Sequence, residues 1–386
     1  MSDGGRSSVL SRGRWATAVP PGARPEQEGR IRSCISPPSR ERRNLFGAQP
    51  SELRDCGDGG RVGHWKWAWW VPVLAAESLG FGRGKVLRRG DRGGFVAVTG
   101  AGRGIGRSIA AALVRDGCHV AVCDVDGDAL RGVAAELGRR CHAVVVDVSD
   151  AEAVHGFVAG AAARFGTLDL MVNNAGIMPS GLLGDHSVQM LQRVVEVNLL
   201  GTLYGCRSAI EVMSAQGQGH IVNIASATAV MPLAGLAPYS ATKAAVLALS
   251  EALHGELRGT GIRLSTVCPY QTATAASAGL GVLQGFGPIH PDRVGAAVAR
   301  LRCRPRPVVH VPGYLALLPL LGVLPGWARA VAGGMAGTDV IALGAAPAGR
   351  AEYMEEILRA SSVLRFSAGA DLAKEDPGGG DELPSE

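Results

Sequence analysis

A tyrosine and a lysine four residues apart carry the sharpest chemical signal in this 386-residue chain. Tyr239 and Lys243 form Tyr-x-x-x-Lys at the start of a helical stretch, and that spacing puts both side chains on one helix face. A phenol is a poor acid or base at neutral pH because its reference pKa is about 10. A nearby ammonium favours the phenolate and moves the phenol toward general acid–base work. With five Tyr and four Lys in the chain, chance produces this spacing in about one such chain in twenty. Ser226 stands 13 residues before Tyr239 at the end of an expected strand, and Asn198 lies within Glu196-Val197-Asn198-Leu199-Leu200-Gly201. Taken singly, Ser226 reads as a strand-end hydrogen-bonding serine and Asn198 as a helix-packing amide.

The elements that must position these groups begin at Phe95. From there, short apolar strands alternate with longer helical stretches, the signature of βαβ units and a parallel sheet. Strands are expected over 95–98, 119–123, 143–146, 168–172, 220–224, 263–267 and 308–311, and helices over 104–117, 188–215 and 239–258. The fold class is α/β: a Rossmann-type doubly wound parallel sheet in one catalytic domain. The first strand runs into Thr99-Gly100-Ala101-Gly102-Arg103-Gly104-Ile105-Gly106. A glycine-rich strand-to-helix turn lets backbone approach a pyrophosphate, and the helix N-terminus offers free N–H groups to the anion. Glycines also serve plain steric needs in turns; the position at the first strand–helix junction raises the signal. Asp124 follows the second strand, 18 residues after Gly106, where such fingerprints place an acid for the adenosine ribose. A carboxylate there repels a 2′-phosphate and favours NAD. Arg103, in the glycine loop, could reach that phosphate, so NADP stays open. Asp124 also reads as a surface turn residue beside Asp126 and Asp128.

The form Thr-Gly-x-x-x-Gly-Ile-Gly resembles the short-chain dehydrogenase/reductase family, and the chain is similar to actinobacterial members of unassigned substrate. The resemblance covers roughly residues 93–312. Asp147, with Val148 beside it, matches the position that contacts the adenine. Asn173-Asn174-Ala175-Gly176 matches the Asn-Asn-Ala-Gly motif that supports the sheet and lines the cofactor pocket. The resemblance implies a catalytic set of Asn198, Ser226, Tyr239 and Lys243. In it Tyr239 exchanges the proton, Ser226 steadies the substrate oxygen, Lys243 binds the nicotinamide ribose and lowers the Tyr239 pKa, and Asn198 holds a relay water. Where the family shows Pro-Gly and then a threonine, this chain has Pro269 followed by Tyr270, with Thr272 and Thr274 further on. The same resemblance implies a substrate loop over 273–288 and a homodimer or homotetramer built on the helices that hold Asn198 and Tyr239. The expected reaction is hydride transfer between NAD(P) and an apolar alcohol or ketone.

Charge and composition bound the alternatives. Residues 1–92 hold 17 Lys and Arg against 9 Asp and Glu, whereas residues 93–386 hold 22 against 25. The domain itself is therefore slightly acidic and gives no reason to expect nucleic acid as a partner. The eight cysteines form no Cys-x-x-Cys pair and no cluster with zinc spacing, so no metal site is expected and the thiols read as reduced. Neither a secretory leader nor a spanning helix is read, the runs at 68–76 and 314–327 being short of the ~20 residues a span needs; a cytoplasmic location is expected. The segment 1–92 holds five of six tryptophans, and three readings of it stay open. It is a disordered basic arm touching a membrane surface, a targeting or partner-binding segment, or a reading frame opened too early, with the protein beginning near Val86. Residues 313–366 form an apolar helical extension, with 314–327 a candidate pocket wall, and 367–386 a disordered acidic tail. Rival functions are a non-catalytic dinucleotide sensor, a peripheral membrane protein using the tryptophan-rich arm, and an epimerase or dehydratase with bound NAD. The retained Tyr–Lys pair argues against the first. The roughly 75 residues after Val311 are few for the substrate domain of the last.

Overall fold

The computed structural model describes residues 93–282 and 287–317, together with Pro325, Gly334, Arg350, 353–355 and Ile357. The basic extension, the acidic tail and nearly all of 318–349 fall outside the described residues, so the readings placed on them stay where the sequence left them.

Seven strands form one parallel sheet in the order β3-β2-β1-β4-β5-β6-β7. They are β1 (Phe95–Thr99), β2 (His119–Asp124), β3 (Cys141–Val145), β4 (Leu170–Asn173), β5 (Gly219–Ile224), β6 (Ile262–Pro269) and β7 (Val308–Val311). Between them run α1 (Gly104–Arg115), α2 (Gly127–Leu137), α3 (Ala151–Phe165), α4 (Val188–Val195), α5 (Gly201–Gln216), α6 (Ala237–Glu256) and α7 (Pro291–Cys303). The strands are apolar on both faces because helices cover both, the rule for parallel sheets. Val96, Val98, Val120 and Val122 point into one core with Ile109 and Leu113 of α1 and Val294 and Val298 of α7. Their alternates Ala97, Ala121 and Cys123 point into the other, with Phe157 of α3 and Ala209 and Met213 of α5.

All seven expected strands are present, with ends moved by one or two residues. Three helices, α2, α3 and α7, have no counterpart among the elements expected from the sequence. Their signals are caps. The Asp126 carboxylate accepts from the Asp128 and Ala129 amides, and Asp150 accepts from Glu152 and Ala153; α7 opens with Pro291 behind His290. The single helix expected over 188–215 is broken by a π-helical turn, Glu196–Leu200. Such turns widen the helix by one residue and concentrate at functional sites. Among the described residues, no helix is long and apolar enough to cross a membrane, and no group of His, Cys, Asp and Glu could hold a metal. The six described cysteines are unpaired.

Candidate active site

The strand order reverses between β1 and β4, and in open α/β sheets ligands bind outside the carboxyl ends at such a switch point. Both motifs read from the sequence meet there. Gly100 and Gly104 have φ of +63° and +54°, which an L side chain adopts only under strain. A Cβ on Gly100 would lie 2.6 Å from the Ala175 Cα, and one on Gly106 would lie 2.0 Å from the Gly100 carbonyl oxygen. The Thr99 hydroxyl accepts from the amides of Asn174 (3.0 Å) and Ala175 (3.1 Å). The Asn174 side-chain NH2 donates to the carbonyls of Thr99 and Gly100, both at 2.9 Å. The glycine turn and the Asn-Asn-Ala-Gly motif are thus one hydrogen-bonded unit. In the sheet beneath, Asn173 donates to Asn223 of β5 at 2.8 Å.

This unit fits a dinucleotide phosphate. Helices α2 and α3 are capped by aspartates, but α1 has no side-chain cap and no acid in its first turn, so its terminal dipole faces the crevice uncompensated. Arg103 is the exposed residue at its N-cap. Ile105 packs its side chain on the core. Asp124 ends β2, and one of its oxygens accepts from the Gly102 amide at 2.9 Å while the other accepts from Asp126 at 3.2 Å. It holds the glycine loop as well as presenting charge at the crevice edge. Thr274 comes back over this loop, its methyl 3.1 Å from where a Gly104 Cβ would be.

The other carry-over residues divide. Asp147 accepts from the Ser149 amide and, at 2.9 Å, from the buried guanidinium of Arg193, which also donates to the Ser149 hydroxyl. Arg193 escaped the sequence reading; it holds the Asp147 carboxylate in place. Val148 is in the core against the backbone of Gly201, where a Cβ would meet its methyl at 2.9 Å. Pro269 pairs with Val311 at the end of β6. Thr272 is buried and donates to the Tyr270 carbonyl at 2.9 Å.

Tyr239 and Lys243 occupy the first turns of α6, Ser226 follows β5, and Asn198 sits in the π turn. The four converge. Asn198 is fully buried. Its carbonyl oxygen accepts from the Ile177 amide (2.8 Å), and its NH2 donates to Ile177 O (2.9 Å) and to the Thr242 hydroxyl (3.0 Å). The side chain therefore ties the loop after β4 to α6, which positions Tyr239. A Cβ on Gly176 would lie 3.3 Å from both Asn198 Oδ1 and Lys243 Nζ, so this glycine allows the close approach. Ser226 accepts from the amide and hydroxyl of Thr228 and lines the same pocket as Tyr239.

The electrostatics of the protein alone differ from the expectation that Lys243 lowers the Tyr239 pKa. Burial pushes the Tyr239 phenol up to about 12, and the hydrogen bond with Ser226 only partly offsets it. Burial pulls the Lys243 ammonium down to about 8. Its Nζ donates to the Ile224 carbonyl at 2.9 Å and stands 5.8 Å from the centre of the Tyr239 ring. Desolvation outweighs the pair's mutual influence at that separation.

A pocket opens on Tyr239 and Ser226. Its apolar walls include Met178, Met231, Leu236, Tyr270 and Leu280, so the tyrosine that replaces the expected glycine does line it. Gln271 lines it too, and its buried Oε1 has no hydrogen-bond partner. Arg350 and Tyr353 also reach this region, against Met178, Ser180 and Ala276. Nothing local in the sequence marks them. The wall sought at 314–327 lies mostly outside the described residues.

Comparison with known proteins agrees with this geometry. A family model for short chain dehydrogenases matches residues 94–281. An "uncharacterized oxidoreductase" of Staphylococcus aureus is 37% identical over 185 residues, which cover 80% of that relative and 48% of this chain. This chain belongs to the short-chain dehydrogenase/reductase family. Another relative, the "probable oxidoreductase EphD" of Mycobacterium tuberculosis, is 35% identical over 265 residues. The match spans 62% of this chain but only 44% of the mycobacterial relative. Among solved members, a short-chain dehydrogenase/reductase from Burkholderia phymatum in complex with NAD superposes with TM-score 0.55 at 26% identity, covering 60% of this chain and 93% of that one. A 3-ketoacyl-(acyl-carrier-protein) reductase from Brucella melitensis complexed with NADH gives 0.52 at 29%, covering 57% and 97%.

Proposed function

We propose that residues 93–312 form an NAD(H)-dependent dehydrogenase/reductase that interconverts a carbinol and a carbonyl on a small apolar molecule. The observation that carries this reading is that Ser226 and Tyr239 line one apolar pocket together, beside a glycine cradle and a buried lysine. The two solved relatives carry NAD and NADH, which supports the cofactor. When bound, NAD(H) supplies or accepts the hydride. The uncapped start of α1 and Gly100–Gly106 would hold its phosphates, Asp124 its ribose hydroxyls and Asp147–Val148 its adenine end. The residues around Asn174, Ala175, Gly176, Lys243, Thr272 and Thr274 would enclose the nicotinamide end. In reduction, Ser226 donates to the carbonyl oxygen and Tyr239 delivers the proton. Lys243 orients the ribose, and Asn198 fixes α6 at the far side of the site. Apolar Val188 and Val195, seven residues apart and exposed on α4 beside exposed Leu182 and Leu183, support self-association at this face.

Titrating NADH and NADPH separately into the purified chain tests the cofactor assignment. NADH should bind at least about tenfold more tightly, because a 2′-phosphate would meet the Asp124 carboxylate. Asp124→Asn keeps an acceptor for the Gly102 amide and removes the charge, so it should erase most of that preference. Equal affinities in the parent chain would show that Asp124 does not read the ribose.

The unpartnered Oε1 of Gln271 refines the substrate. A buried acceptor left unpaired costs about 1–3 kcal/mol, so a ketone with a second hydroxyl in reach should be preferred over its hydrocarbon analogue. Comparing kcat/KM for such a pair in the parent and in Gln271→Leu checks this: the parent should favour the hydroxylated ketone by about tenfold, and the variant should not. An undiminished preference in the variant would remove Gln271 from substrate recognition.

A further inference from the structure

We propose that Arg350 and Tyr353, which lie beyond the segment matched by the family model, are positioning residues that fix the width of the substrate pocket. This rests on the pocket being the carbonyl site argued above. Met178 and Leu280 both line the pocket, and the C-terminal pair holds the Met178 backbone at both ends. Its amide donates to the Tyr353 hydroxyl at 3.0 Å, and its carbonyl accepts from Arg350 Nη2. The same guanidinium donates through Nε to the Ser180 hydroxyl at 2.8 Å, and through Nη1 to the carbonyls of Ala276 and Ala278. One side chain therefore joins the loop after β4 to the loop after β6. Both loops border the pocket, the first through Met178 and the second through Tyr270, Gln271 and Leu280.

The chemistry suits arginine alone. Its planar fork presents five donors in fixed directions, and a lysine has one compact ammonium that cannot reach both loops. The residue is buried at 4% exposure, and burial lowers its pKa. Its guanidinium lies 5.2 Å from the centre of the Tyr353 ring. Tyr353 is in turn anchored with Ile357 against Met190 and Val194 of α4. A buried cation aimed at backbone carbonyls of two separate loops is a costly way to stabilise a surface turn, and an effective way to hold two pocket walls at one distance. The carbonyl carbon must be presented to hydride within a few tenths of an ångström, and a misplacement of about 1 Å costs on the order of 10²-fold.

The test combines amide hydrogen exchange with kinetics on the full chain saturated with NADH. Arg350→Ala should speed exchange at least about tenfold in peptides covering 176–182 and 273–282 and leave the strands unchanged. Tyr353→Phe should do so in 176–182 only, and Arg350→Lys should fail to restore both loops. With acetophenone and 2-octanone as probes, Arg350→Ala should raise KM about tenfold and alter the ratio of their kcat/KM values, with the NADH Kd within about twofold of the parent. Unchanged exchange in both loops would overturn the proposal. So would accelerated exchange throughout the sheet, or an NADH Kd that weakens as much as KM, since either means a general structural role. A parent chain that reduces neither ketone counts against the carbonyl reading, while the exchange pattern still decides whether Arg350 holds the loops.

Discussion

Tyr239→Phe should lower carbonyl reduction by about 10²–10⁴-fold, the usual contribution of a positioned proton donor, and leave NADH affinity within about twofold. The reasoning is local. The phenol lines the apolar pocket with Ser226 and is pushed by burial up to about 12. At neutral pH it is fully protonated, so it is a ready acid for a developing alkoxide and a poor base for an alcohol. The two directions should therefore differ in pH dependence. Reduction should be nearly flat from pH 6 to 8, whereas alcohol oxidation, which needs the phenolate, should rise steeply toward alkaline pH until positive charge on the bound cofactor and Lys243 brings the phenol into range. Phe keeps the ring, its packing and the start of α6. A variant that retained parental turnover would remove Tyr239 from proton transfer, and one that lost NADH binding would show the loss to be structural. Initial rates in both directions, with nucleotide titration of both proteins, separate these results.

The parts of this site legible in the sequence are those whose partners are fixed by strand register. Thr99 ends β1 and Asn174 and Ser226 stand just past strand ends, and parallel pairing of β1 with β4 and β4 with β5 brings strand ends together without further information. Tyr239 and Lys243 were legible because one helical turn relates them. Capped helices α2 and α3 were within reach of a reading that weighed Asp126 and Asp150 as caps. Other features depend on contacts that no local pattern encodes. Arg350 meets Met178 and Ser180 across 172 and 170 residues of chain, from the extension read as apolar and helical. Arg193 carries no local mark, and only the fold places it on Asp147. The raised Tyr239 and lowered Lys243 pKa values arise from burial, which spacing on a helix does not report.

Lys243→Met should make the ligand-free protein more stable and the enzyme inactive. The ammonium is buried at 4% exposure, and burial brings it from 10.5 down to about 8. Between about pH 8 and 10.5 the unfolded chain keeps a proton that the folded chain has released, so stability rises with pH across that window. Below about pH 8 both states are protonated and the full cost of burying the charge is present, about 3 kcal/mol. Methionine removes that cost at similar volume, though it leaves the Ile224 carbonyl without its 2.9 Å donor, a loss of about 1–2 kcal/mol. At pH 7 the variant should therefore melt a few degrees higher, and the gap should close as pH rises toward 10.5. NADH should reverse the order. If Nζ turns to the ribose hydroxyls, the parent gains hydrogen bonds that methionine cannot make, so saturating NADH should raise the parent's melting temperature more than the variant's. A variant that melts lower than the parent at pH 7 without nucleotide would mean that the ammonium stabilises the empty site. A variant stabilised by NADH as much as the parent would place Lys243 away from the ribose. The predicted pattern describes a group kept at a cost to the fold because its charge is needed only when the cofactor arrives.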